Sequence, residues 1–443
     1  MTAHLAKALA GPADAAVCFD ARGGERRLGE LLAAAASVEA SLRPLDGERW
    51  ALNLADAFEF TAALLGCWAA GRTAVLAPAP LLATLAPTTL DGIIETATAA
   101  TPSARRVVFG ALAPASQRLG SVTSGAALKL FTSGSTGVPK EVDRRLANIE
   151  PELAAFESLW GPSLGACRVY STVSHRHVYG LLFRILWPLS TGRPFATFDL
   201  EYPEQLLGPE SAHGALVSSP ALLKRIGHLA AGPHAWRAVF SSGGVLPADA
   251  AASAWRVLGV PPIEVLGSTE TSGVAWRKVP AQRFTPFRPV ELRLSADELL
   301  EVRSPFSGAD DWLRMGDRAR LEDGGIELLG RADRVAKIED KRVSLTEIEA
   351  ALMAHRFVKD AAAVALERNG RQYIGAVVEL TAAGRAALAE LGRATLGAQL
   401  RAPVRGCVDA VAVPRVFRYR DAIPVDAQGK RQVAALAALF ARR

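Results

Sequence analysis

Cysteine is scarce in this chain of 443 residues, and Cys18, Cys67, Cys167 and Cys407 are scattered. No CxxC pair or Cys/His cluster exists, which excludes a zinc site and a disulfide frame and fits the reduced thiols of a cytoplasmic protein. Long apolar runs are missing as well. Half the residues are hydrophobic, yet no uncharged apolar stretch reaches the ~18 residues that a membrane span needs. The first residues, Met1-Thr2-Ala3-His4-Leu5-Ala6-Lys7, lack a charged region followed by an apolar core and a cleavage site, so no signal peptide is expected. Aromatic residues are 7% of the chain and are not interleaved with the basic ones, which argues against a nucleic-acid partner. Neither the GxxxxGK[ST] spacing of a Walker A loop nor an internal repeat occurs.

The length allows a large core and two or three domains. The net charge of +6 is unevenly placed: Arg334 to Arg443 hold 19 Lys/Arg against 11 Asp/Glu, a balance of +8 that leaves −2 for the residues before them. A basic terminal section suits an acidic partner, or is simply a solvated arginine-rich surface.

The richest segment is Thr132-Ser133-Gly134-Ser135-Thr136-Gly137-Val138-Pro139-Lys140, directly after the apolar run Leu128 to Phe131. A strand ending in such a loop can wrap backbone N–H groups and hydroxyls around phosphate oxygens, with Lys140 as a nearby cation. Alone, it could also be a flexible linker. Four more segments follow: Gly267-Ser268-Thr269-Glu270 after the apolar Ile263 to Leu266, Trp312 to Asp317, Gly330-Arg331-Ala332-Asp333-Arg334, and Ile423 to Lys430. Each could mark an ordinary turn. In this order, from about Val17 to the C-terminus, they resemble the adenylate-forming superfamily of acyl- and aryl-CoA synthetases, adenylation domains and luciferases.

That resemblance implies ATP and Mg²⁺ as cofactors and an acid–thiol ligase activity. The Thr132–Lys140 loop, with Ser133, Gly134, Ser135, Thr136 and Gly137, would cradle phosphates. Glu270 would be the Mg²⁺ ligand, with Ser268 and Thr269 beside the α-phosphate. Asp317 would accept from the ribose hydroxyls, Arg331 would hold ribose and phosphate, and Gly243 and Gly244 would let adenine and acyl group approach. Lys430 would bridge the substrate carboxylate and the α-phosphate, and Asp333 would be the hinge. His177 with Tyr179, Ser242, Gly243 and Gly267 would shape the acyl pocket. His177 could equally be a core or surface histidine, and His175 is the competing one. Leu266 stands where the family commonly has an aromatic residue, and Asp340 where it has a glycine after Lys337.

The βαβ rhythm agrees. Strands are expected at Trp50–Leu54, Thr73–Ala77, Ala215–Val217, Ala238–Phe240 and Ile263–Leu266. Helices are expected at Ala57–Ala70, Ala221–Leu229 and Ala248–Leu258, with motif loops beyond the strand C-termini. After Glu291 short strands take over, and helix Leu345–His355, strands Asp360–Leu366 and Tyr373–Leu380, and helix Ala382–Leu400 form an α+β module. The expected fold is therefore α/β. A large domain of residues 1–332, with parallel α/β subdomains and a small β-structure section, precedes a small mobile α+β domain of residues 333–443.

The segment before the phosphate loop is short for the superfamily, so the chain resembles compact stand-alone ligases, some of which load carrier proteins in aryl-polyene or xanthomonadin pigment clusters. The expected partners are an aromatic or other small carboxylic acid, hydroxybenzoate first, and a phosphopantetheine thiol on an acyl carrier protein. An aryl- or fatty-acyl-CoA synthetase using CoA is the alternative. A non-catalytic nucleotide- or carrier-binding protein is the remoter rival, and Glu270 with Lys430 argues against it.

Overall fold

The computed structural model describes residues 4–77, 81–82, 85, 89–99, 101, 105–132, 140–208, 213–232, 235–338, 341–368, 371–406, 408, 410–425, 431 and 433–441. It separates into two compact units. The first holds Met1–Arg293, Glu301–Met315 and Leu321–Glu327, and the second Leu294–Leu300, Gly316–Arg320 and Leu328–Arg443.

In the first unit, helix formation follows local signals. Asp56 caps the Ala57–Ala69 helix by accepting from the amides of Phe58 and Glu59. The Ala248–Leu258 helix stops at Gly259, which takes the left-handed conformation (φ +78°). The expected Ala221–Leu229 helix is a single turn, Pro220–Leu223; Gly227 close behind it weakens any continuation.

Two sheets carry the unit. A six-stranded sheet runs Arg106–Val108, Gly92–Glu95, Arg49–Asn53, Thr73–Leu76, Ala127–Thr132, Lys140–Arg145. Its strands are parallel except the last, which returns antiparallel. A nine-stranded sheet has Ile263–Ser268, Ala238–Ser241, Ala215–Ser218 and Val169–Ser171 as a parallel centre. On the far side of Ile263–Ser268, the antiparallel strand Ser272–Lys278 closes a hairpin. Central strands such as Ala238–Ser241 are buried along their whole length, as parallel strands covered on both faces must be.

The second unit has its own core, including Ile338, Ile348, Leu352, Ala363, Ile374 and Leu400. A sheet of Val358–Arg368, Arg371–Leu380 and Val416–Arg420 packs with helix Leu345–Met353. The expected continuous helix Ala382–Leu400 instead runs to Arg405 as two helices that meet at Gly392 (φ +76°, ψ +167°). Only a residue without a Cβ takes such a break cheaply.

Candidate active site

Strand C-termini of the nine-stranded sheet create the first part of the site. The loop after Ala238–Ser241 is stapled at both ends: the Ser242 hydroxyl donates to the Val265 carbonyl at 2.8 Å, and the Leu246 amide donates to Glu264 at 2.7 Å. Between the staples Gly243 (φ +89°) and Gly244 are exposed, and nothing lies within 4 Å of a Cβ built on Gly243. That open backbone is what a flat ring or acyl group would need. Ser242, expected in the pocket, uses its hydroxyl on the neighbouring strand and acts from below.

The next turn, Thr269-Glu270-Thr271, connects Ile263–Ser268 to Ser272–Lys278, with a bulge between Leu266 and Gly267. A Cβ at Gly267 would fall 2.3 Å from the Ser272 carbonyl oxygen, so its glycine serves the hairpin. Thr271 accepts from the Ser268 amide at 3.1 Å and shares a 3.0 Å hydrogen bond with its hydroxyl. Ser268, Thr269 and Glu270 are half-buried. Ser272 is held at φ +60°, a conformation that costs a non-glycine residue energy.

The turn is gripped from behind. Arg144 is 4% exposed and donates to the carbonyl oxygens of Thr269, Glu270 and Ser307, the Glu270 contact being 2.7 Å. Glu152 is 1% exposed and accepts from the Ser272 hydroxyl at 2.5 Å and the Gly273 amide at 2.7 Å. Burial pushes its carboxyl up to about 7, against the pull of Ser272, Gly273 and the Arg144 charge. Neither residue was among the expected site residues. The signal available was an arginine on the inward side of a strand, since Val142 and Arg144 alternate with exposed neighbours.

In the second unit, Gly316–Asp317 and Gly330–Arg331 come together. Asp317 has its side chain 13% exposed and lies 3.5 Å from the Arg331 guanidinium. That guanidinium sits over Gly316, 2.7 Å from a Cβ built there. A shielded carboxylate beside an arginine suits a diol plus an anion.

The expected acyl-pocket segment lies after strand Val169–Ser171. His177 precedes the Val178–Gly180 turn and is half-buried. His175 is 2% exposed, with Nε2 3.0 Å from the Leu54 carbonyl oxygen and its ring 4.2 Å from that of Phe60. Burial, with Arg184 nearby, pushes its pKa well below the usual value, so it is a neutral core residue. Tyr179 packs 4.9 Å from Phe183, and burial holds its phenol well above the usual range. Among the described residues the buried Ser241 hydroxyl has no hydrogen-bond partner, and the buried Tyr179 hydroxyl makes no well-formed one, only a loose approach to the Ser218 main chain. Ser241 is in register with Ser218, whose hydroxyl meets that of Thr172 at 2.9 Å.

Ser133, Gly134, Ser135, Thr136, Gly137 and Lys430 lie outside the described residues, as does Cys407. Thr132 closes its strand, Lys140 opens the next and is exposed, and Asp333 lies in the Ala332–Arg334 turn. The thiols of Cys18 and Cys67 are buried and pushed up to about 12, which leaves them unreactive. A broad groove of about 650 Å³ beside the Leu146–Leu164 helix is lined by Glu157, Gly161, Thr191 and Arg193. Two of its ionic groups are spent on each other, Arg193 binding Glu157 at 2.6 and 2.9 Å, and it holds none of the expected residues.

Comparison with known proteins decides the family. The model for AMP-binding enzymes matches residues 124–296, and that for the AMP-binding enzyme C-terminal domain matches 347–430. The chain belongs to the adenylate-forming, AMP-binding enzyme family. A 4-coumarate–CoA ligase of Rhodobacter capsulatus is 30% identical over 304 residues, covering 68% of this chain and 73% of the relative. A benzoate–CoA ligase of Thauera aromatica is 26% identical over 351 residues, covering 68% and 64%. Two solved structures share the fold: a benzoate CoA ligase from Burkholderia xenovorans LB400 (TM-score 0.79, 22% identity, 99% and 100% coverage) and ATP-bound MatB from Rhodopseudomonas palustris (0.83, 17%, 99% and 98%).

This adenylate-forming enzyme is an AMP-forming acid–thiol ligase, and ATP and Mg²⁺ are the cofactors of its class. The described residues fit them. Among these residues no group of three or more His, Cys, Asp or Glu could hold a metal ion. A hard cation at Glu270 would therefore complete its shell with phosphate oxygens and water, the usual manner of Mg²⁺. Among the same residues no helix is long and apolar enough to cross a membrane.

Proposed function

We propose that this ligase activates an aromatic acid bearing a ring hydroxyl and passes the acyl group to a phosphopantetheine thiol on an acidic carrier protein. The observation that carries the acid is a pair of buried, under-satisfied hydroxyls: Ser241, without a partner among the described residues, and Tyr179, with only a loose approach to the Ser218 main chain. Unpaired buried polar groups are costly, and a ring hydroxyl would satisfy them. The high phenol pKa of Tyr179 keeps it a neutral donor. Relatives named for 4-coumarate and benzoate support an aryl acid.

In the first half-reaction a carboxylate oxygen attacks the α-phosphorus of ATP and pyrophosphate leaves. In the second a thiolate attacks the acyl carbon and AMP leaves. Lys430 is assigned to offset charge between carboxylate and α-phosphate. Glu270 would hold Mg²⁺ with Thr269 beside the α-phosphate, Gly243 and Gly244 would lie against the planar groups, and Asp317 and Arg331 would hold the ribose. His177 borders the acyl site, the Ser133–Gly137 loop takes the outer phosphates, and Asp333 is the hinge before a mobile domain of residues 333–443.

The carrier protein is supported by the +8 balance of Arg334–Arg443. Arg415 and Arg420 are exposed there, Arg420 also donating to the Tyr419 carbonyl at 3.0 Å, and the half-buried Arg418 donates to the Leu439 carbonyl at 3.0 Å. CoA is the second reading, favoured by the names of the relatives.

A pyrophosphate-release screen over benzoate, hydroxybenzoates, coumarate and octanoate tests the acid. Hydroxylated acids are expected to exceed their deoxy counterparts in kcat/KM by roughly tenfold or more, with Tyr179→Phe narrowing the gap; superior octanoate turnover overturns the aryl reading. Thioester formation on a carrier protein should slow markedly from low to high salt while adenylation changes little. Equal use of free CoA overturns the carrier.

A further inference from the structure

We infer that Arg144 and Glu152 are positioning residues for adenylation, a two-sided clamp that sets the main chain of Thr269 to Gly273 and thereby aims the Thr269 and Glu270 side chains. This rests on the reading that Thr269 and Glu270 face the nucleotide and its metal.

Three observations support the clamp. Arg144 uses one nitrogen, Nη2, on the carbonyl oxygens of both Thr269 and Glu270, and the other, Nη1, on Ser307 and its own neighbour Asp143. A planar fork fixed at four carbonyls leaves those two peptide units little freedom to rotate. On the other side Glu152 takes one donor from the side chain of Ser272 and one from the main chain of Gly273. Ser272 is the residue with the unfavourable positive φ. A carboxylate bonded to its hydroxyl and to the next amide is what keeps that conformation occupied. Gly273 must also stay bare, because a Cβ there would lie 2.8 Å from Glu152 Oε1.

Both clamp residues come from a stretch that directly follows the Ser133–Gly137 segment. Arg144 lies on the Lys140–Arg145 strand and Glu152 on the Leu146–Leu164 helix that continues from it. The strand that follows the Ser133–Gly137 segment in sequence thus carries the arginine that grips the Thr269–Glu270 turn. Arg144 and Glu152 touch no substrate in this arrangement; they act through Thr269 and Glu270.

The test uses the full chain with Arg144→Met, Arg144→Lys and Glu152→Gln, each checked for folding by circular dichroism. Amide exchange of Ser268–Gly273 reads the clamp directly. Calorimetric ATP binding, with and without Mg²⁺, reads its consequence apart from turnover. Arg144→Met is expected to speed exchange in that segment and to weaken Mg²⁺-dependent ATP binding by about tenfold or more, the usual range for loss of an outer support. Binding without Mg²⁺, and thiol transfer from supplied acyl-adenylate, should change by less than about threefold, since the metal enters neither. Arg144→Lys should recover part of the Mg²⁺ effect by reaching one carbonyl. Glu152→Gln, which can accept only one of the two donors, should fall between wild type and Arg144→Met. Unchanged exchange in Arg144→Met overturns the clamp, and so does equal weakening of ATP binding with and without metal. If wild-type ATP binding ignores Mg²⁺, the reading of the turn itself fails, while the exchange measurement still decides whether the clamp exists.

Discussion

Glu152 in the first unit and Glu349 in the second are both buried glutamates on helices, yet different donors satisfy them. Glu152 takes a hydroxyl and an amide from the turn it supports, with the Arg144 charge acting nearby. Glu349 is bracketed by two guanidiniums: Arg334 binds it directly, and Arg431 lies 3.4 Å away. It also accepts from the Ala363 amide at 2.7 Å. Burial raises the pKa of both, but at Glu349 two full positive charges pull the other way. Neutral donors hold a turn in shape at the expense of an easily protonated carboxyl. Charge pairs tie distant chain segments together, here the residue after Asp333 and the residue after Lys430, and make each partner depend on the others.

The largest effect is expected at Lys430, the neighbour in sequence of Arg431. Lys430→Ala is expected to lower adenylate formation by about 10²–10³-fold while largely sparing thiol transfer from supplied acyl-adenylate, as pyrophosphate release and thioester assays will show. Equal losses in both halves would remove Lys430 from its assigned role.

Next in size, Glu349→Ala should destabilise the second unit by about 3 kcal/mol, because Arg334 and Arg431 lose their shared counter-charge and the Ala363 amide its acceptor. Chemical denaturation measures this. A change below about 1 kcal/mol would place the pair among weak surface bridges.

Glu152 should instead make stability depend on pH. Its native carboxyl holds a proton up to about 7, whereas the ordinary value is 4.5. The native state therefore binds more protons than the unfolded chain in that window. Stability falls as pH rises through it, by about 3 kcal/mol, then levels off. Denaturation of wild type at pH 5 and 8 should show this slope, and Glu152→Gln should flatten it.

The smallest effect belongs to the surface. Reversing charge at Arg415 and Arg420 should raise the KM for a carrier protein several-fold, leave the KM for the carboxylic acid unchanged, and lose its effect at high salt. An unchanged carrier KM would make the basic surface a solvated one.

Much of the candidate site could be proposed from the chain because its parts are local. Gly243 must take a positive φ, and a strand followed by Gly-Ser-Thr-Glu reads as a ligand-facing turn whatever lies beneath. The strands Ala238–Ser241 and Ile263–Ser268 and the helix Ala248–Leu258 are similarly visible, since each carries its own period and stop signal. The Ala221–Leu229 and Ala382–Leu400 segments misled because alanine- and leucine-rich stretches read as continuous helix, whereas the first stops after Leu223, ahead of Gly227, and the second breaks at Gly392. Ser242 misled because a hydroxyl beside two glycines looks free, and only the adjacent strand shows that it is bonded to Val265.

By itself, the sequence determined the family, the order of the motifs and the parallel α/β plan, because these rest on residue type and spacing within short segments. Tertiary structure alone decided that Arg144 grips the carbonyls of residues 125 and 126 positions away. It also decided that Glu152 secures a strained Ser272 and that, among the described residues, the Ser241 hydroxyl is buried without a partner. Burial and hydrogen bonding between distant segments exist only once the chain is packed, and no local pattern encodes which buried polar group will find its partner.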